Sequence, residues 1–247
     1  MNTNKKTESI VDISLPKAAL VAGFGYLVIF IFGAFFGVLE NLIVWGDAAT
    51  TAKNIMASEL LFHTVIAGLL IVIVADVVVA WALYVFLKPV SKNLSLLTAW
   101  FRLVFGTIFG IALLSLLSAS QLLSGSDYLT VFESNQLYAQ AMLFLNTYRY
   151  GLNIGYVFFG LHILGLGYLI FKSDYVPSIL GALLIITSVG YLIDSFASFL
   201  SSNYANNETL FIIFVAVPAI ISEFSLTLWL LIKGRKVGLR DTPAPAA

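Results

Sequence analysis

Asp76, Arg102, Arg149, His162, Asp194 and Glu223 are the side chains of this sequence best placed to do chemistry, because each interrupts a long apolar run. Asp194 stands in the middle of SVGYLIDSFASFL. A carboxylate in such surroundings is costly unless a counter-charge, a hydrogen-bond donor or a ligand meets it. Three chemistries follow from the residue types. Carboxylates set against arginines form ion pairs or hold a charged ligand. A histidine near a carboxylate can shuttle a proton. Glu59 and His63, four residues apart, share one helix face and could ligate a metal.

The elements that must carry these groups are set by composition. The chain is 60% hydrophobic and 11% charged, whereas soluble proteins carry about 25% charged residues. With a mean hydropathy of +0.97, it reads as a polytopic membrane protein whose first partner is the lipid bilayer. The net charge is zero and no basic stripe is interleaved with aromatics, so nucleic acid is not an expected partner. With no cysteine, disulfides, thiolate metal sites and cysteine nucleophiles are excluded. The first apolar run is too long for a signal peptide and is read as a retained helix.

A helix needs about 20 mainly apolar residues to span a bilayer. Six stretches meet this, at 17–45, 59–86, 94–123, 141–171, 176–201 and 209–232. The expected fold is all-α, a six-helix transmembrane bundle over 17–233, preceded by a segment 1–16 and followed by a tail 234–247. With the N-terminus inside, Lys5, Lys6, Lys17, Lys88, Lys92, Lys172, Lys233, Arg235, Lys236 and Arg240 are cytoplasmic, and only Lys53 lies in an outer loop. That bias places both termini in the cytoplasm of a cell whose inner membrane holds the protein.

Local signals refine the picture. Asp47 is expected to cap a short interfacial helix and Ser58 the second span, while Ser134 starts a helix running into the fourth. That helix is long enough to suggest a break near Gly151 or Gly155. Pro218 should kink the sixth span. GAFFG, GTIFG and GLNIG each set glycines one turn apart, a spacing that lets helices approach. The tail DTPAPAA reads as disordered.

Three blocks carry a family likeness: GDAATTAKNIMASELLF, ADVVVAWALYVFLKPVSKNLSLLTAWFRLVFGTI, and YVFFGLHILGLGYLIFKSDYVPSILGALL with GYLIDSF and EFSLTLWLLIKG. The sequence resembles the bacterial multi-pass membrane proteins grouped as domain of unknown function 4386, over nearly its whole length. The resemblance implies a prokaryotic integral membrane protein without an established activity. Asp76, Arg102, His162, Asp194 and Glu223 fall on positions that match the family pattern. His63 departs from it, since the family pattern has arginine there, so chemistry resting on His63 would not be shared.

Depth along the helices, at 1.5 Å per residue, sorts the polar groups. Asp194 and Arg149 both count to roughly 10–12 Å below the outer surface, on consecutive spans, so Arg149 is expected to compensate Asp194. Asn146, Tyr150 and Asn153 accompany Arg149, and Tyr191 and Ser198 accompany Asp194. With Glu40, Asn41, Glu59 and His63 from the first two spans, Glu59, His63, Arg149, Asn153, Asp194 and Ser198 are candidates for an outer-facing ligand cavity. A deeper set comprises Asp76, Arg102, His162 and Glu223, with an Asp76–Arg102 pair and a His162–Glu223 contact expected.

Three function classes remain open. A small molecule or lipid headgroup is bound in the outer cavity, and transported if the two sets connect, with Arg149 serving an anionic group. Alternatively the chain is an intramembrane enzyme, with Glu59 or Asp194 as base and His63 or His162 as proton shuttle. In the third class the pairs only hold helices together. With only His63 and His162 in the chain, a zinc site would need carboxylates to complete it, and their unequal depth suits a bis-histidine haem poorly, so no metal site is assigned and the cofactor is left unknown.

Overall fold

In the computed structural model the chain is described at residues 13–201 and 203–237. Lys5, Lys6, Arg240 and the expected disordered tail lie outside the described residues. Among the described residues eight helices follow one another: α1 Leu15–Gly33, α2 Phe35–Leu42, α3 Ala48–Ala57, α4 Glu59–Leu87, α5 Lys92–Leu122, α6 Ser134–Lys172, α7 Ser178–Leu200 and α8 Tyr204–Ile232. Single 3-10 turns occur at Asp127–Leu129 and Gly234–Lys236. Six spans are long and apolar enough to cross a membrane, α1 and α2 together forming the first. The expected all-α, six-span bundle is therefore the fold.

The spans close into a ring in chain order. α1 packs on α4, α4 on α5, α5 on α6, α6 on α7, α7 on α8, and α8 returns to α1. Short connections make consecutive spans antiparallel neighbours. One face of the ring, here the turn face, carries the turns around Lys88–Ser91 and Ser173–Pro177. The other is the α3 face. Phe62, Leu69, Val79, Phe86, Leu116, Leu145, Ile163 and Leu166 fill the interior. Leu60, Ile71, Trp81, Trp100, Ile111, Leu143, Ile186 and Ile212 point outward and stay exposed. An apolar surface of this extent around a helical bundle is matched by lipid, not water.

Several local expectations are corrected. The first span is not one helix: it breaks at Ala34, between α1 and α2. α6 runs unbroken for 39 residues, because Gly151 and Gly155 serve packing. A Cβ at Gly151 would sit 2.9 Å from that of Ala112, and one at Gly155 would sit 3.1 Å from the Phe105 ring. Gly33, Gly37 and Gly106 have nothing within 4 Å, so GAFFG and GTIFG do not make the close approaches their spacing suggests. The tightest approach to facing backbone joins Gly167 to Gly181, where an added Cβ would come 2.6–2.8 Å from the facing backbone oxygen.

Capping follows the sequence in part. Asp47 caps α3 as expected, its carboxylate accepting from Thr50 N–H at 2.9 Å and from the Thr50 hydroxyl at 2.7 Å. Those bonds, the backbone one foremost, hold the Asp47 carboxyl below its usual range. Gly46, at φ 87°, makes the turn before it. Thr51 then ties α3 to the end of α2, donating to the Val44 carbonyl at 3.1 Å and accepting from Val44 N–H at 2.9 Å. Ser58 makes no side-chain cap. α6 is capped by Glu133 in a reciprocal box with Gln136, one residue before Ser134. Pro218 lies inside α8. The carbonyl its ring cannot reach with an N–H, that of Phe214, lies against Gly190 of α7.

Candidate functional site

Counted from the turn face, Tyr26, Asp76, Arg102, His162 and Glu223 all fall about ten residues into their helices, roughly 15 Å deep at the helical rise. Five of the six spans thus contribute to one layer across the ring. Arg102 is its centre. Its Nε and Nη2 donate to Oδ1 of Asp76 at 2.9 and 2.5 Å, and its Nη1 donates to the Tyr26 hydroxyl at 3.1 Å. The guanidinium carbon also lies 5.0 Å from the Tyr26 ring centroid and 5.5 Å from that of Phe159.

His162 completes the layer, and its protonation follows from its partners. Nδ1 sits 2.9 Å from the Thr98 carbonyl, which only accepts, so Nδ1 carries the hydrogen. Nε2 lies 3.1 Å from Arg102 Nη1, which only donates, so Nε2 presents its lone pair. The imidazole is neutral in this geometry. The expected Asp76–Arg102 pair is present. The expected His162–Glu223 contact is replaced by His162–Arg102, because the guanidinium reaches across the ring and occupies the free imidazole nitrogen.

Glu223 lies instead within electrostatic reach of the Tyr191 hydroxyl on α7. Beside it, Ser222 and Thr187 share a buried hydroxyl bond of 2.9 Å. On the α3 side of the layer the character of the wall changes. Tyr191 meets Phe159 edge-on at 5.1 Å and Tyr156 at 5.7 Å, and Tyr156 stacks on Phe105 at 5.9 Å. The Tyr156 hydroxyl lies within electrostatic reach of Asp194, Glu40, Asp76 and Glu223. Tyr156, Tyr191 and Asp194 keep accessible surface, whereas Tyr26 and His162 are 0% exposed and Arg102 is 1% exposed. The hydroxyls of Tyr148 and Ser195 on this side, and of Thr98 beside His162, are buried and have no hydrogen-bond partner among the described residues. On the turn side, the gap between Leu83, Thr98, His162 and Leu169 has no room for a water-sized sphere.

The expected outer set is only partly assembled. Helix contacts place Gly160 against Leu192, and Gly167 against Gly181 and Ile185. That register brings Asp194 level with residues near 157 of α6, about two turns or roughly 12 Å inside Arg149. The expected Arg149–Asp194 compensation is corrected accordingly: Asp194 Oδ1 accepts from the Tyr204 hydroxyl at 2.8 Å, and the Arg149 guanidinium lies over the Trp45 ring at 4.8 Å. Hydropathy edges misplaced the two depths because α6 extends well beyond its apolar part. Trp45 Nε1 also donates to Glu40 at 2.9 Å, so Glu40, Trp45 and Arg149 form the rim.

Glu59 and His63 do not join this rim. Phe62, Val65, Ile66 and Leu69 take the inward stripe of α4, which turns Glu59 and His63 to its exposed side. His63 Nε2 pairs there with Ser120 Oγ of α5 at 2.7 Å. Asn153 is half-buried, and Ser198 spends its hydroxyl on the Ser195 carbonyl at 2.7 Å. Tyr26, Trp45, Tyr156 and Phe159 were missed by the sequence reading. A tyrosine midway along an apolar helix, level with charged residues on other spans, was the available signal for Tyr26.

Comparison with known proteins agrees with the fold. An uncharacterized protein of Archaeoglobus fulgidus is 38% identical over 172 residues, covering 70% of this chain and 85% of its own. No solved structure matches the chain. The family model described as domain of unknown function (DUF4386) matches residues 21–234, which includes every member of the polar layer, and the chain belongs to that family of multi-pass membrane proteins.

Proposed function

We propose that this protein binds a small molecule in the α3-side half of the ring, and that this half faces the outside of the cell. The observation that carries the reading is the change of wall at the Arg102 layer. Below the α3-side half lies a closed polar floor built around Arg102, with no room for a water on its turn side. Above it stand accessible tyrosines, Asp194 and the buried hydroxyl of Ser195, with that of Tyr148 further out at the level of the rim, both without partners among the described residues. Buried polar groups are normally satisfied, and those that are not mark places where a ligand or water supplies the bond. The outward orientation rests on the lysine and arginine bias. Access from one face suits binding, or one state of a transporter, better than an open channel.

A lipid headgroup is the second reading. A groove of about 500 Å³ is lined by Ile193 of α7, Ser201 of the turn after it, and Asn207, Leu210, Phe211 and Phe214 of α8. It would admit an acyl chain beside Asp194. Native mass spectrometry from mild detergent tests both. A reproducible non-protein mass that disappears in Tyr156→Trp supports binding, and a lipid mass favours the groove. A clean protein mass in both forms would move the assignment to a purely structural bundle.

A further inference from the structure

We infer that the bound molecule is a small organic cation, and that the Glu223 carboxylate receives it in exchange for a proton. This rests on the binding reading above and names its ligand chemistry.

The charges in the ring support it. Arg102 is the only cation of the deep layer among the described residues, and four of its five N–H donors are engaged by Asp76, Tyr26 and His162. His162 is neutral by its hydrogen bonds and supplies no charge. Glu223, 8% exposed, faces Tyr191 from α7, with Tyr26 of α1, Asp76 of α4 and Arg102 of α5 in electrostatic reach. An ionised carboxylate so placed needs a counter-charge that Arg102 already gives to Asp76. A proton meets that need when the site is empty, and a cationic ligand meets it when the site is filled.

The walls point the same way. Tyr191, Tyr156, Phe159 and Phe105 present ring faces and edges in one continuous cluster. Aromatic faces attract cations, and Arg102 already lies over two rings of this interior. An anion entering by Tyr156 would meet the fields of Asp194 and Glu40, while Asp76 already holds Arg102, the cation of the layer. Arg149, the residue expected to serve an anion, sits at the rim over Trp45.

Full-length protein in phosphatidylcholine nanodiscs provides the test, with ethidium as an aromatic cation, anilinonaphthalene sulfonate as an anion and N-phenylnaphthylamine as a neutral probe. Saturable ethidium binding is expected. It should weaken as pH falls, approaching about tenfold per pH unit where proton and cation compete for one carboxylate. Glu223→Gln should weaken it at least about tenfold and flatten the pH dependence. In weak buffer, ethidium binding to the wild type should release protons, a readout that needs no variant. Ethidium binding indifferent to both pH and Glu223→Gln overturns the inference. So does saturable binding of the anionic or neutral probe in preference, lost in Tyr156→Trp; the binding reading would then stand without the cation. Saturable binding of none of the three overturns both.

Discussion

Arg102 directs Nε and Nη2 onto a single oxygen of Asp76, at 2.9 and 2.5 Å, with both residues withdrawn from solvent. This relationship ties α4 to α5, and through Tyr26 and His162 it also binds α1 and α6 into one layer.

Removing one partner of that pair leaves the other charged and unpaired in the ring. Asp76→Asn or Arg102→Gln alone should each cost about 3–5 kcal/mol of stability. Asp76→Leu combined with Arg102→Met should cost less than the sum of the separate losses. Denaturant unfolding in detergent checks this, and additive losses would mean that the pair contributes no coupling.

Gly167→Ala and Gly181→Ala test the α6–α7 contact. An added Cβ there meets backbone at 2.6–2.8 Å, and overpacking of this kind costs about 1–3 kcal/mol. Gly106→Ala, with nothing within 4 Å, should be neutral or stabilise by up to about 1 kcal/mol. Equal effects at all three positions would contradict the helix register.

Arg149→Gln and Asp194→Asn should combine additively, within about 0.5 kcal/mol, because the register separates them by two turns. Trp45→Leu with Arg149→Gln should instead show coupling of about 0.5–2 kcal/mol through the stacked guanidinium. Unfolding midpoints of the two double-mutant cycles distinguish the cases.

The Asp47 cap predicts a pH dependence with a definite sign. Its carboxyl is held below the ordinary value in the folded state. The contribution is therefore present above the unfolded value and lost as pH falls through the folded one. The melting difference between wild type and Asp47→Asn should shrink on acidification. A difference that grows would overturn the assignment.

The chain has no cysteine, so single cysteines report accessibility without background. A cysteine replacing Lys53 should react with an impermeant maleimide from outside the cell, and one replacing Lys92 only after lysis. Within the ring, a cysteine replacing Asp194 should react faster than one replacing Tyr26. The reverse order would argue against an α3-side chamber.

Much of this protein was legible before folding. Apolar runs of membrane length determined six spans, because backbone polar groups in lipid must be satisfied within helices. Asp76 and Arg102 were legible as partners because a short turn between their helices leaves little freedom in their relative depth. Asp47 was legible as a cap because its bonds reach only three residues along the chain. What the sequence did not determine was every relationship that depends on helix rotation and axial register. Asp194 looks level with Arg149 until the Gly167–Gly181 contact sets α6 against α7. His63 looks inward until Phe62 and Val65 claim that face of α4. The gathering of Tyr26, Asp76, Arg102, His162 and Glu223 in one layer needs α8 to return to α1, a contact between the two ends of the described chain. Sequence spacing constrains neighbours along a helix, and only close packing between helices decides which of their side chains meet.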